Sequence, residues 1–178
     1  MRIIDNFFDD PGPVRRHALG SVWEDKKAFD GQTYKRVVAT IVPDLHRSLE
    51  RVVGPVVMLG QGYRLNYAGE PPNKAVHTDL GWGTHALVCY LSFGESGTAL
   101  WKHKETGTTE CDYRYLKEYE RDADDPNLWD MVDLCHAKFN RAVVYESTKF
   151  HSRYPFEGYG DCPENGRLIA VAFFTPRS

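Results

Sequence analysis

His77 and Asp79 stand one residue apart in the stretch KAVHTDLGW, residues 74–82. If the chain is extended there, side chains two apart point the same way, so an imidazole and a carboxylate can reach one ion. The spacing alone decides little, because seven histidines and fourteen aspartates in 178 residues supply about half an H-x-D by chance. A polar end to an ordinary strand is the competing reading, and His103–Lys104–Glu105 is a competing pair.

A third ligand tips the balance. An ion held inside a rolled sheet is gripped by strands distant in sequence, and His151 follows the apolar run RAVVYES, 74 residues beyond His77. That interval is long enough to cross a sheet and return, whereas His103 leaves only 48 residues, about half of them in a polar, helical-looking segment. Two histidines and one carboxylate on one face make the facial triad of non-haem iron(II) oxygenases, with three adjacent positions left open. A 2-oxo acid chelating through two of them would need a cation for its far carboxylate, ideally a guanidinium binding both oxygens. Arg167 opens the strand-like run RLIAVAFFT, sixteen residues after His151, and on strand alternation shares a face with Ile169, Val171 and Phe173. Arg153, two residues past His151, is its rival for that role.

The elements that must hold these residues read as two helices followed by strands. A helix is expected over roughly Pro13 to Val22, with Asp9 and Asp10 upstream, and a second in PDLHRSLERVVGP, where Leu45, Leu49, Val52 and Val53 share a face and Gly54-Pro55 stops it. The opening IIDNFF reads as a short edge strand. VVMLGQGYRLNYA, KAVHTD, THALVCYLSF, TALWKH, RAVVYES and RLIAVAFFT are short, β-branched or aromatic and bounded by turn residues. One acidic interruption, about 112–138, has helical character in YRYLKEYERD and again in NLWDMVDLC. The expected architecture is α+β in a single domain, residues 1–178: helices about 11–54, a β core about 56–176 of sandwich or barrel type, and the insertion about 112–138.

Composition narrows the partners. A net charge of -3 with scattered basic residues carries no signature of nucleic acid or an anionic membrane. MRIIDNFFDDPGPVRR turns acidic after eight residues without a long apolar run, so it reads neither as a signal peptide nor as a membrane span. Cys89, Cys111, Cys135 and Cys162 are widely spaced, which suits free thiols in a reducing cytoplasm rather than a zinc knuckle. Oligomeric state is not legible.

With these residues in view, the chain from roughly Tyr63 to Thr175 resembles the Fe(II)/2-oxoglutarate-dependent dioxygenase superfamily in its prolyl hydroxylase-like branch. YRLNYAGEPPNKAVHTD is similar to that family's strand with a tyrosine about ten residues ahead of H-x-D. THALVCYLSFGESGTALW, FNRAVVYESTKFHSRYPF and NGRLIAVAFF are similar to its following strands, its distal-histidine strand and its closing strand. The resemblance implies a double-stranded β-helix (jelly-roll, cupin-like) core. It also implies Fe(II) on His77, Asp79 and His151, and 2-oxoglutarate held by Arg167, with Tyr90 and Tyr67 as hydrogen-bonding tyrosines. The implied reaction uses O2 to hydroxylate a C–H bond of a peptidyl residue such as proline, an amino acid or a small metabolite. Succinate and CO2 are the co-products. The interval from His151 to Arg167 is longer than that branch usually shows. Trp82, Phe150 and Arg153 are candidate walls of the substrate cleft, while His85, His103, His136, His17 and His46 read as structural or surface residues. Two other classes fit the same letters: a cupin-like metal enzyme that uses no 2-oxoglutarate, and a non-catalytic jelly-roll binding module.

Overall fold

The computed structural model describes residues 1–27, 31–70 and 74–177, so Pro71, Pro72 and Asn73 just ahead of the H-x-D pair lie outside the described residues. The architecture is mixed, with two antiparallel sheets and few helices. The strands are β1 (Arg2–Ile4), β2 (Glu24–Lys27), β3 (Thr33–Ala39), β4 (Val56–Asn66), β5 (His85–Tyr90), β6 (Gly97–His103), β7 (Trp129–His136), β8 (Ala142–Glu146), β9 (His151–Tyr154) and β10 (Arg167–Pro176). The larger sheet has the order β1-β8-β5-β10-β4-β3-β2 and the smaller β7-β6-β9, and the ladders within both are antiparallel.

Helices α1 (Pro11–Leu19) and α2 (Leu45–Val53) cover one face of the larger sheet. Asp10 caps α1 by accepting from the Gly12 amide at 3.0 Å, and Gly54 closes α2 at φ 84°, a conformation costly for any residue with a Cβ. Alternation along the central strands then divides the side chains. Leu168, Ala170, Ala172 and Phe174 of β10 join Leu87 and Cys89 of β5 against Val14, Ala18, Leu45 and Leu49 of the helices. Arg167, Ile169, Val171 and Phe173 point the other way, into a cavity of about 840 Å³ between the two sheets. The period-2 alternation thus produces two chemically distinct faces, one packed on helices and one open to ligand.

Three expectations about the elements are corrected. NLWDMVDLC is not helical beyond a short 3₁₀ turn at Pro126–Leu128; Trp129–His136 is β7, paired along β6, with Trp129 and Cys135 buried. Ladder pairing along β6 and burial of Trp129 and Cys135 override a weak helical propensity there. The region read as helices over 11–54 contains the β2–β3 hairpin, whose EDKK and TYKR carry too little apolar alternation to announce a strand. KAVHTD is a run of bends with a single bridge, His77 to His151, rather than a strand.

Gly62 is demanded by packing. A Cβ on Gly62 of β4 would lie 2.0 Å from the Val38 carbonyl oxygen, so the close approach of β3 requires its absence. The insertion is a separate aromatic cluster in which Tyr119, Trp129 and Phe150 meet at ring distances of 4.6 and 4.8 Å. Its buried polar heart is His103, whose Nε2 lies 2.9 Å from Asp122 Oδ2, while Glu105 pairs with Arg121. The competing His103/Glu105 pair is therefore taken up by the insertion's own hydrogen bonds.

Candidate metal centre and its cavity

The backbone places the three candidate ligands. The His77 amide donates to the His151 carbonyl at 3.0 Å and the His151 amide returns a bond at 2.9 Å, so residue 77 lies beside the first residue of β9 in the smaller sheet. Two residues on, the Asp79 amide donates to the Ser147 carbonyl at 3.0 Å, just past β8 of the larger sheet. The H-x-D segment therefore bridges the mouth between the sheets. One potential ligand atom from each of His77, Asp79 and His151 lies within 4.8 Å of the others.

The protonation states suit cation binding. The His151 ring sits with Nδ1 3.0 Å from the Lys149 carbonyl and Nε2 3.2 Å from Asp79 Oδ2. A carbonyl can only accept, so Nδ1 carries a proton; in the metal-free chain Nε2 donates to Asp79 as well, and it gives up that proton when a cation takes its place. Burial would by itself lower the His151 pKa, but the charge and hydrogen bond of Asp79 raise it above the ordinary value. Burial would raise the Asp79 carboxyl; His151, then His77 and Arg64, instead hold it below its ordinary range. Burial, aided by His151, drives His77 down to about 3, which keeps it neutral, and its Nδ1 is buried with no hydrogen-bond partner. Two imidazoles and a carboxylate, one ring nitrogen orphaned, form a donor set that fits a borderline divalent ion such as iron.

Tyr145 packs its ring 4.5 Å from that of His151 and its hydroxyl lies 3.5 Å from Asp79 Oδ2, backing the centre from β8. Arg167 is 3% exposed; its Nη2 reaches the Gly97 carbonyl at 3.4 Å and its Nε has no partner. Burial holds its pKa below the usual guanidinium value, against the effect of nearby Tyr90. Tyr90 is fully buried beneath the cavity wall, its hydroxyl 2.7 Å from Thr98 Oγ1, and Thr98 itself lines the cavity.

The remaining expected site residues are placed less uniformly. Arg153 lines the cavity from β9, but its Nε and Nη2 donate to the carbonyls of Phe156 and Glu70, and burial with Arg167 and Arg64 nearby lowers it to about 10. Trp82 lies on the rim, 39% exposed and stacked on Phe173 at 5.4 Å. Phe150 touches the cavity from the insertion cluster. Tyr67 is not among the lining residues; its ring lies 4.1 Å from the Arg36 guanidinium. Sequence reading missed Arg64 and Asn66, which line the cavity from β4. The alternation in GQGYRLN contained the signal, since Gly60, Gly62, Arg64 and Asn66 share a face opposite the tyrosine and leucine packed on the helices.

A centre of this kind in a two-sheet fold defines a candidate metal-binding protein. The chain belongs to a family of unknown function, DUF6445, whose model matches residues 71–174, a span that includes all three triad residues. No curated protein matches it. Among solved structures, the crystal structure of EvdMO1 is similar with a TM-score of 0.50 and 14% identity over 99% of this chain and 47% of that one. The chain thus spans about half the length of that relative and shares its fold over that span. Among the described residues, no helix is long and apolar enough to cross a membrane.

Proposed function

We propose that this chain is an Fe(II)- and 2-oxoglutarate-dependent dioxygenase with a double-stranded β-helix core. It would hydroxylate an unactivated C–H bond of a peptidyl residue, amino acid or small metabolite. One oxygen atom of O2 enters the substrate and the other enters succinate, with CO2 released from the oxo acid. The observation that carries this reading is the gathering of His77, Asp79 and His151 on a cavity that also holds the buried, underbonded Arg167.

Iron held by these three side chains would supply dioxygen activation. The protein's own part is positioning. The Lys149 carbonyl fixes the His151 tautomer, so its Nε2 is available without ring rotation. Asp79 stays ionised at neutral pH and His77 stays neutral, so neither must change protonation to bind a cation. Arg167 offers unused donors to a distal carboxylate, and the Tyr90–Thr98 hydroxyl pair lies behind it. Ala86, Val88, Ile169 and Val171 give the cavity an apolar wall that limits water beside the reacting C–H bond.

The test is 2-oxoglutarate turnover with Fe(II), following succinate release in wild type, Asp79→Ala and Arg167→Ala. Wild type is expected to decarboxylate and both variants to lose most of that activity. Absence of turnover by wild type across a broad substrate panel, with no visible charge-transfer band in the anaerobic Fe(II) protein, would remove the reading.

A further inference from the structure

Arg64 is the cavity guanidinium left without a partner. It stands mid-strand in β4, opposite Ile169 of β10 and Val37 of β3, and its Cζ lies over the Tyr34 ring, 4.8 Å from the centroid. Its Nε is buried without a hydrogen bond, and among the described residues no carboxylate pairs with it. The other arginines nearby each have an acceptor in the chain: Arg153 two carbonyls, Arg36 the Glu70 carboxylate, and Arg167 the Gly97 carbonyl at 3.4 Å, with its Nε left for a ligand. The groups whose charge Arg64 feels are Tyr34, Asp79 and Tyr145, and Asp79 already accepts from His151 at the metal centre.

Arg64 is half-buried with only its Nε sealed from water, so the rest of its fork faces the cavity with no carboxylate of the described residues against it. Nor does the proposed co-substrate account for it. A divalent ion, Asp79 and dianionic 2-oxoglutarate together carry one net negative charge, which Arg167 alone balances. With Lys26 paired to Glu24 and Glu70 to Arg36, the lining still holds Arg64, Arg153, Lys27, Lys35 and Lys74 against Glu120, an excess of positive charge. The fork geometry of a guanidinium matches a carboxylate or phosphate bidentately, and lysines nearer solvent draw such a group in.

We propose that Arg64 is a second anion-binding residue of this cavity, and that the substrate carries a carboxylate or phosphate which it holds. Calling that anion the substrate's rests on the oxygenase reading; the anion site itself does not.

The experiment follows backbone amide shifts of the full-length, metal-free chain during titration at constant ionic strength. The probes are N-acetylglycine, inorganic phosphate and the uncharged N-acetylglycinamide. The anions should bind with shifts centred on β3 and β4, at least about tenfold tighter than the amide, and the stronger of the two names the anion's class. Arg64→Gln should lose about tenfold of that affinity, Arg64→Lys should recover part of it, and binding at β4 should persist in Arg167→Gln. Equal binding of charged and uncharged probes, unchanged affinity in Arg64→Gln, or binding that follows Arg167 alone would overturn the proposal. Should Arg64→Gln fail to fold, Arg64→Lys with its amide spectrum intact carries the test: probe affinity equal to wild type would count against a bidentate site. A separate 2-oxoglutarate titration divides the two ideas. If wild type does not bind it while Arg64-dependent anion binding persists, the oxygenase reading falls and the anion site stands.

Discussion

His151 Nε2 lies 3.2 Å from Asp79 Oδ2, and the two residues come from opposite ends of the motif-bearing sequence. Without a cation this contact is a hydrogen bond between an imidazole and a carboxylate; with one, both groups turn their lone pairs to the same ion.

Metal binding should follow from that geometry. Calorimetric titration with Fe(II) under anaerobic conditions, or with Mn(II) as a redox-stable substitute, should give one site per chain. Asp79→Ala and His151→Ala should each weaken it by about a hundredfold or more, since loss of a direct ligand exceeds the ten- to hundredfold cost typical of losing an outer partner. Tight binding that survives the double variant His77→Ala/Asp79→Ala would show that the site is elsewhere.

Acid should destabilise the metal-free chain through His77. Its folded pKa, about 3, lies below the ordinary value of 6.5, so between those values the unfolded chain binds the extra proton and stability falls as pH drops. Urea unfolding between pH 7 and 4 should show this loss, and His77→Gln should flatten the slope by up to about 1.4 kcal/mol per pH unit. His151 acts in the opposite sense: its raised pKa contributes stability below 6.5 that is lost as pH rises through the folded value. An unchanged slope in His77→Gln would mean the ring is hydrated in the folded state.

Gly62→Ala should cost about 3 kcal/mol of stability, because overpacking against backbone cannot be relieved by a rotamer change. Chemical denaturation measures it directly. A loss under 1 kcal/mol would imply that β3 moves freely away from β4.

Trp82→Ala separates wall from core. The ring is 39% exposed and rests on Phe173 at the rim, so thermal stability should change by less than about 1 kcal/mol. Substrate KM should rise severalfold in an assay with an identified substrate, while 2-oxoglutarate affinity stays within about twofold. A large loss of stability would identify Trp82 as packing instead.

Asp122→Ala tests whether the insertion is independent of the centre. Removing this carboxylate leaves the buried His103 Nε2 without its partner and should cost about 2 kcal/mol, with metal affinity unchanged. Parallel loss of metal binding would tie the insertion cluster to the triad.

The residue types and intervals of His77, Asp79, His151 and Arg167 were legible in the letters because each rests on a local rule. H-x-D spacing, apolar runs and period-2 alternation survive in one dimension, and so does the capping that bounds α2. What the letters could not express is which of several polar residues faces which neighbour. That His77 reaches His151 by a single bridge instead of a strand, that NLWDMVDLC is a ladder partner of β6, and that Tyr67 turns toward Arg36 all depend on pairings between segments far apart in sequence. Arg64 makes the same point: its neighbours in sequence are Tyr63 and Leu65, which pack on the helices, and only the closure of β4 against β3 and β10 leaves its guanidinium in the cavity without an anion. Sequence determined the chemical inventory and the alternation of faces. Tertiary structure alone decided which charges meet and which stay unpaired in the cavity, because burial and pairing are properties of the assembled sheets.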